Sequence, residues 1–97
     1  MKIEWTPVSL RHREDIWLHI AGDNVSAAFD MDERISRAVG RLLDFPELGR
    51  LGEVPNTREL FPHENYRLIY RITPQVITII AVVHVARQWP PVNEEHL

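Results

Sequence analysis

The spacing of apolar residues divides the chain into a helical first half and a β-rich second half. Residues 2–5 alternate with period two and predict a short strand. Apolar residues then recur every three or four positions, which predicts amphipathic helices over about residues 7–21 and 24–43. Because residues 22–24 form so short a link, the two helices are expected to pair as an antiparallel hairpin.

The second half alternates with period two and predicts three strands. They cover about residues 57–61, 66–72 and 76–85, with turn residues at 62–65 and 73–75. The segment 46–52 reads as a loop. The order predicts an α+β fold with two layers: an N-terminal strand, an antiparallel helical hairpin, and then a three-stranded antiparallel meander.

The last strand is apolar on both faces, as is typical of a strand covered on both sides. The helical hairpin can cover only one face of the sheet. The other face, here called the outer face, is therefore expected to meet the chain's own tail, a dimer mate or a partner protein.

The register of the last hairpin stays open at this point. With a three-residue turn centred on Pro74, His84 shares a face with Tyr66 and Tyr70, while Arg67 projects from the opposite face. A two-residue turn exchanges the faces, because a slip of one residue reverses every side chain.

Composition narrows the class of protein. The 97 residues, 44% hydrophobic and 26% charged, fit one globular domain spanning 1–97. No apolar run is long enough to span a bilayer, and Glu4 and Pro7 interrupt any signal-peptide core, so a cytoplasmic protein is expected. Without cysteine there is no disulfide, thiol nucleophile or thiolate metal site.

The charged residues are distributed unevenly along the chain. The net charge of −3 argues against a general nucleic-acid coat and against direct sequence-specific DNA binding by this chain. Residues 34–71, however, hold seven arginines against five acids. Arginine is suited to bidentate contacts at interfaces, although scattered surface pairs explain the charges equally well.

Candidate chemistry is sparse. The five histidines lack the spacing of a metal site, and no glycine-rich phosphate loop or nucleophile motif occurs, so no metal or cofactor is expected. Metal-free RNA cleavage needs a base, an acid and a cation. Arginine, tyrosine and histidine side chains in the sheet half can supply these roles, and they serve equally well as packing and surface residues: Arg58, Tyr66, Arg67, Tyr70, Arg71, His84 and Arg87.

Several short segments, in order along nearly the whole chain, resemble one known family. They are Trp5-Thr6, Ala27-Ala28, Pro46-x-x-Gly49-Arg50, Thr57-Arg58-Glu59-Leu60, Tyr66-Arg67-Leu68-Ile69-Tyr70, and the ending from Ile79 through His84-Val85-Ala86-Arg87-Gln88-Trp89-Pro90. Together they resemble the RelE/ParE superfamily of toxins from bacterial type II toxin–antitoxin modules. The Thr-Arg-Glu-Leu stretch and the His-x-x-Arg-x-Trp-Pro ending are closer to the ParE branch.

The resemblance implies a binding inhibitor of DNA gyrase that is neutralised by a ParD-like antitoxin, with no catalytic residue. The alternative it leaves open is a ribosome-dependent mRNA endoribonuclease of RelE type. Arg67 falls where such nucleases carry a catalytic arginine, and Tyr70, His84 and Arg87 are the further candidates. Lys2 is the only lysine and nothing like a tyrosine follows Trp89, which departs from the RelE pattern.

An antitoxin tail is expected to fold across the outer face of the sheet and along the helical hairpin. Apolar side chains of the two last strands are expected to be buried by it, and its acids are expected to meet arginines. The predicted antitoxin-binding residues are Ile69, Ile77, Ile79, Arg34, Arg37, Arg41, Arg58 and Arg71.

Overall fold

A computed structural model describes residues 1–91 and confirms the α+β order of elements. The first half contains strand β1 (Lys2–Trp5), helix α1 (Pro7–Ala21) and helix α2 (Val25–Asp44). The second half contains β2 (Arg50–Leu51), β3 (Arg58–His63), β4 (Tyr66–Ile72) and β5 (Val76–His84). No helix within these residues has the length and apolarity needed to cross a membrane.

The strands form one five-stranded sheet in the order β1-β5-β4-β3-β2. The predicted meander is present, with β3, β4 and β5 antiparallel, and β1 adds to it in parallel beside β5. Strand β2 corrects the prediction of a loop over 46–52: its two residues pair with the start of β3, and so short a strand carries no periodicity. Strand β3 also runs through Pro62, where the ladder is irregular and a missing N–H is tolerated.

Both helices begin at side-chain caps. The Thr6 hydroxyl accepts a hydrogen bond from the backbone N–H of Ser9 at 3.0 Å, and Pro7 follows at the first helical position. The Asn24 side chain accepts one from the N–H of Ala27 at 3.0 Å. These caps bond N–H groups that have no partner within the helix. Both helices begin within one residue of the predicted start.

The core lies between the helices and one face of the sheet. The predicted face of α2 is confirmed: Ala28, Ile35 and Leu42 are buried, and Met31 and Ala38 are half-buried beside them. They face the alternate residues of β4 that the period-two pattern selected, which are Tyr66, Leu68, Tyr70 and Ile72.

A bulge in β5 decides which side chains face the helices. Ile72 pairs with Ile77 and Tyr70 with Ile79, but beyond them Ile69 pairs with Ala81, so Ile80 is an extra residue. Four residues separate the paired Ile72 and Ile77, and this spacing alone would have placed His84 on the outer face. The bulge moves it to the helix-facing side. As a result His84 pairs with Tyr66 on the helix-facing side, whereas Arg67 pairs with Val83 on the outer face.

Beyond β1, the exposed edge of β5 is closed by helix α1. The Thr6 hydroxyl donates to the carbonyl of Ile80 at 3.3 Å, and the backbone N–H of Val82 donates to Nδ1 of His12 at 3.2 Å. His12 must therefore be unprotonated at Nδ1 to accept this bond. Burial lowers the pKa of His12, and the nearby Arg11 and Arg87 lower it further, against the opposing effect of Asp15.

We expect this contact to make stability depend on pH. The pKa of His12 is lower in the folded than in the unfolded chain. The contribution of His12 to stability is therefore complete above pH 6.5, the ordinary pKa of histidine, and is lost as the pH falls below that value. In the variant His12→Gln, the amide oxygen can accept from Val82 without titrating. Urea unfolding at pH 8 and pH 5.5 should show a smaller loss of stability in the variant than in the wild type. Equal losses would contradict the assigned contact.

Candidate functional site

A row of exposed arginines lies along helix α2. Arg34, Arg37 and Arg41 are three and four residues apart, so they project from one side of the helix. Arg37 forms an exposed ion pair with Glu33 at 2.7 Å, a contact that is worth little in water. We call these three residues the arginine row; its charges are accessible to a partner.

An apolar groove that the periodicity did not predict lies at the end of α2. The groove has a volume of about 530 Å³ and is lined by Met1, Phe45, Pro46, Glu47, Leu48 and Ile72. Phe45 is 61% exposed although it is a large apolar side chain. The sequence feature that could have indicated this groove is a group of apolar residues in a segment without helical or strand periodicity.

The outer face of the sheet is not the open apolar surface that was expected. Ile77 and Ile79 lie on the helix-facing side with 0% exposure, so their expected place on the outer face is wrong, because the bulge lies beyond them. Ile69 does lie on the outer face, but it is also fully buried. Glu59, its partner on β3, is only 2% exposed.

An ion-pair cluster occupies the middle of the outer face. Oε1 of Glu59 lies 3.3 Å from Nη2 of Arg50 and 3.6 Å from Nη1 of Arg67. The Arg67 side chain is 13% exposed, and its Nη2 also donates to the backbone carbonyl of Arg87 at 2.7 Å. The segment after β5 thus covers the arginine, and a buried carboxylate balances its charge.

Tyr70 and Arg58 hold the loop between α2 and β2. The Tyr70 hydroxyl donates to the carbonyl of Pro46 at 2.7 Å and accepts from the N–H of Gly49 at 2.9 Å. Nη1 of Arg58 donates to the carbonyl of Gly49 at 2.8 Å. A Cβ on Gly49 would lie 2.8 Å from the carbonyl oxygen of Glu59, so only glycine fits between the loop and the sheet. The Pro46-x-x-Gly49 pattern therefore has a structural reason.

These contacts give Tyr70 a structural role in the described chain. Its side chain is 0% exposed, and burial raises the pKa of its hydroxyl, while the hydrogen bond from Gly49 partly opposes this. The hydroxyl therefore stays protonated and keeps donating to the loop at neutral pH. It is fully hydrogen-bonded and has no access to a substrate.

The four residues proposed for an RNA-cleaving site do not all converge: His84 and Arg87 line one pocket beside α1, but Arg67 and Tyr70 do not line it. Arg67 lies on the outer face, whereas His84 packs edge-to-face on Tyr66, with ring centroids 5.3 Å apart, on the helix-facing side. Tyr70 is enclosed in the core, and the Arg87 side chain lines a pocket beside α1. Among residues 1–91, no group of three or more His, Cys, Asp or Glu side chains is arranged to hold a metal ion.

Comparisons with known proteins agree with the arrangement of the elements. The family model described as "ParE toxin of type II toxin-antitoxin system, parDE" matches residues 3–89. A Sinorhizobium fredii protein named "Putative toxin Y4kP" is 38% identical over 92 residues, covering 94% of this chain and 95% of that protein.

Two solved structures are similar in fold. One, described as the chromosomal ParDE TA system from P. aeruginosa, superposes with a TM-score of 0.77 at 22% identity and covers 88% of this chain and 96% of that one. The other, a YoeB/ParE toxin from Agrobacterium tumefaciens, gives a TM-score of 0.63 at 17% identity over 87% and 98% of the two chains.

Proposed function

Because the chain belongs to the ParE toxin family of type II toxin–antitoxin systems, we propose that it inhibits DNA gyrase by binding and is neutralised by a ParD-like antitoxin. The toxin class follows from the family, and the target, the identity of the antitoxin and the non-enzymatic mechanism are the proposal. With gyrase and newly made antitoxin as partners, the toxin would act in the cytoplasm.

The burial and bonding of Arg67 favour inhibition by binding over RNA cleavage. A cation that stabilises a phosphorane in the transition state must reach the reacting phosphate. Here the guanidinium is 13% exposed, balanced by Glu59 and bonded to the Arg87 carbonyl. Neither Tyr70 nor His84 lies on its face of the sheet, so a general acid or base from these positions is not beside it.

Induction of the chain in cells tests the proposed target. Gyrase inhibition should produce a DNA damage response and filamentous cells, and the purified chain should inhibit supercoiling by purified gyrase. Co-expression of the antitoxin encoded beside the toxin serves as the control and should restore growth. Rapid loss of full-length mRNA with intact supercoiling would contradict the proposal and favour the nuclease alternative.

We expect Arg67→Ala to change no RNA-cleaving activity, because the wild-type chain should have none. The measurement is cleavage of ribosome-bound mRNA by equal amounts of folded wild-type and variant protein. His63→Ala, at the end of β3, is a control for nonspecific effects. Cleavage by the wild type that is lost only in the Arg67 variant would reverse the choice of mechanism.

The antitoxin is proposed to bind along the arginine row and into the apolar groove at the end of α2. The row supplies positive charge, and the groove supplies apolar surface that is open in the chain alone. A tail with acidic residues followed by large apolar ones would complement both. Arg71 is also exposed, whereas Arg58 and Ile69 are engaged within the fold and would take part only after a rearrangement.

Reversing two charges of the row should weaken the complex. In the variant Arg34→Glu/Arg41→Glu, attraction to the antitoxin's acids becomes repulsion, so association should slow and its dependence on salt should decrease. Unfolding of the toxin alone should change little, because both side chains are exposed.

Surface plasmon resonance at two salt concentrations provides the measurement. Arg11→Glu, an equally exposed site on α1, is the control for a general charge effect. Equal weakening by Arg11→Glu and by a single reversal in the row would place the antitoxin elsewhere.

A further inference from the structure

A second pocket lies between helix α1 and the end of β5, on the side of the sheet away from Arg67. It has a volume of about 400 Å³, within the range of small-molecule sites. Polar residues from three elements line it: His12, Asp15 and His19 from α1, Tyr66 from β4, and His84 and Arg87 from the end of β5 and the segment after it. The proposed antitoxin contacts and the ion-pair cluster do not use these side chains.

Backbone contacts fix the donor sides of the two histidines. Nδ1 of His12 accepts from the N–H of Val82 at 3.2 Å, and Nδ1 of His84 accepts from the N–H of Ala86 at 3.0 Å. A neutral imidazole that accepts at Nδ1 carries its proton on Nε2. Each ring is therefore held with its proton on Nε2, which leaves that nitrogen as the donor for a ligand.

The charges around the pocket favour an anion. Three charges are close enough to act on His12: Asp15, which has the largest effect of the three and lines the pocket, and two opposing cations, Arg11 and Arg87. Within residues 1–91 no hydrogen-bonded or ion-paired acceptor contacts the Arg87 guanidinium, which carries five N–H donors. Beside these groups, Ile16 and Val82 form an apolar wall.

We propose that this pocket binds the phosphate group of a small phosphomonoester, with the ligand's organic part against Ile16, Val82 and the Tyr66 ring. Arg87 supplies a planar fork for two phosphate oxygens, and the two Nε2–H groups supply neutral donors to the others. The inference is independent of the toxin's target, since neither the arginine row nor Arg67 takes part.

Titration calorimetry on the folded full-length chain provides the test, with adenosine 5′-monophosphate and inorganic phosphate as probes and sodium chloride at matched ionic strength as the blank. We expect saturable binding of the nucleotide and weaker binding of inorganic phosphate, since the latter gains nothing from the apolar wall. Arg87→Gln should weaken nucleotide binding about tenfold, the loss of one charge-assisted pair. Asp15→Asn, an exposed change that removes repulsion, should tighten it.

The chain offers a matched control for the histidines. His63 also accepts a backbone N–H at Nδ1, from Asn65 at 3.0 Å, but it does not line the pocket. His84→Ala should weaken binding, and His63→Ala should leave it unchanged. No saturable binding of either probe, equal effects of the two histidine variants, or a failure of Asp15→Asn to tighten binding would each overturn the proposal.

Discussion

Replacing Ile35 by alanine should lower the free energy of unfolding by about 2–5 kcal/mol, the usual cost of truncating a large buried side chain. Ile35 is 1% exposed and lies in the cluster that joins α2 to Leu68 and Tyr70 of β4. The change removes apolar contact and leaves a cavity that the sheet, fixed by its hydrogen bonds, cannot fill.

The measurement is urea unfolding followed by circular dichroism, with the slope against urea checked for constancy. Arg34→Ala, the preceding residue on the exposed side of the same helix, is the control and should change stability by less than about 0.5 kcal/mol. A loss at Ile35 no greater than that at Arg34 would show that α2 packs on the sheet by another face.

The substitution Glu59→Gln should have an effect of comparable size. We expect it to lower the free energy of unfolding by about 3–5 kcal/mol, because it removes one partner of a buried ion pair. The glutamine preserves shape but removes the charge that balances Arg67, whose side chain is 13% exposed. The Arg67 guanidinium would keep its bond to the carbonyl of Arg87, but a neutral amide would replace the carboxylate that balances its charge. The outer face should loosen together with the segment that covers it.

The chain offers a matched comparison for this substitution too. Glu33 pairs with Arg37 at 2.7 Å, but both side chains are more than half exposed, so Glu33→Gln should cost about 0–1 kcal/mol. The double variant Glu59→Gln/Arg67→Met should recover much of the loss, because no charge is then left buried. Equal costs at Glu33 and Glu59 would contradict a stabilising role for the buried pair.

The sequence predicted best those elements in which apolar residues repeat along one face over many positions. Helix α2 and strand β4 each present apolar residues at a single period, so their buried faces followed directly. Strand β5 is apolar on both faces, and either parity buries apolar side chains. The extra residue at Ile80 therefore left no trace in the pattern, and Ile77 and Ile79 were expected on the outer face.

The candidate site was harder to predict because its contacts are long-range. Arg67 could be named as a charged residue on a strand, but its partners come from β3 and from the segment after β5. Tyr70 likewise looked available for chemistry until the loop at Gly49 was placed against it. Sequence spacing gives the side of a strand on which a group lies, and tertiary contacts determine whether it is accessible.

The parallel pairing of β1 with β5 has a consequence for synthesis of the protein. Thr6 and Ile80, which bond at this junction, are 74 positions apart, so the sheet joins the beginning of the chain to nearly its end. Closing so long a loop costs entropy and slows folding. A nascent chain that has not reached β5 has no partner for β1, so an incomplete translation product cannot complete this sheet. The sheet is therefore completed only after β5 has been made, and strand β1 waits for it through the synthesis of both helices and the other strands.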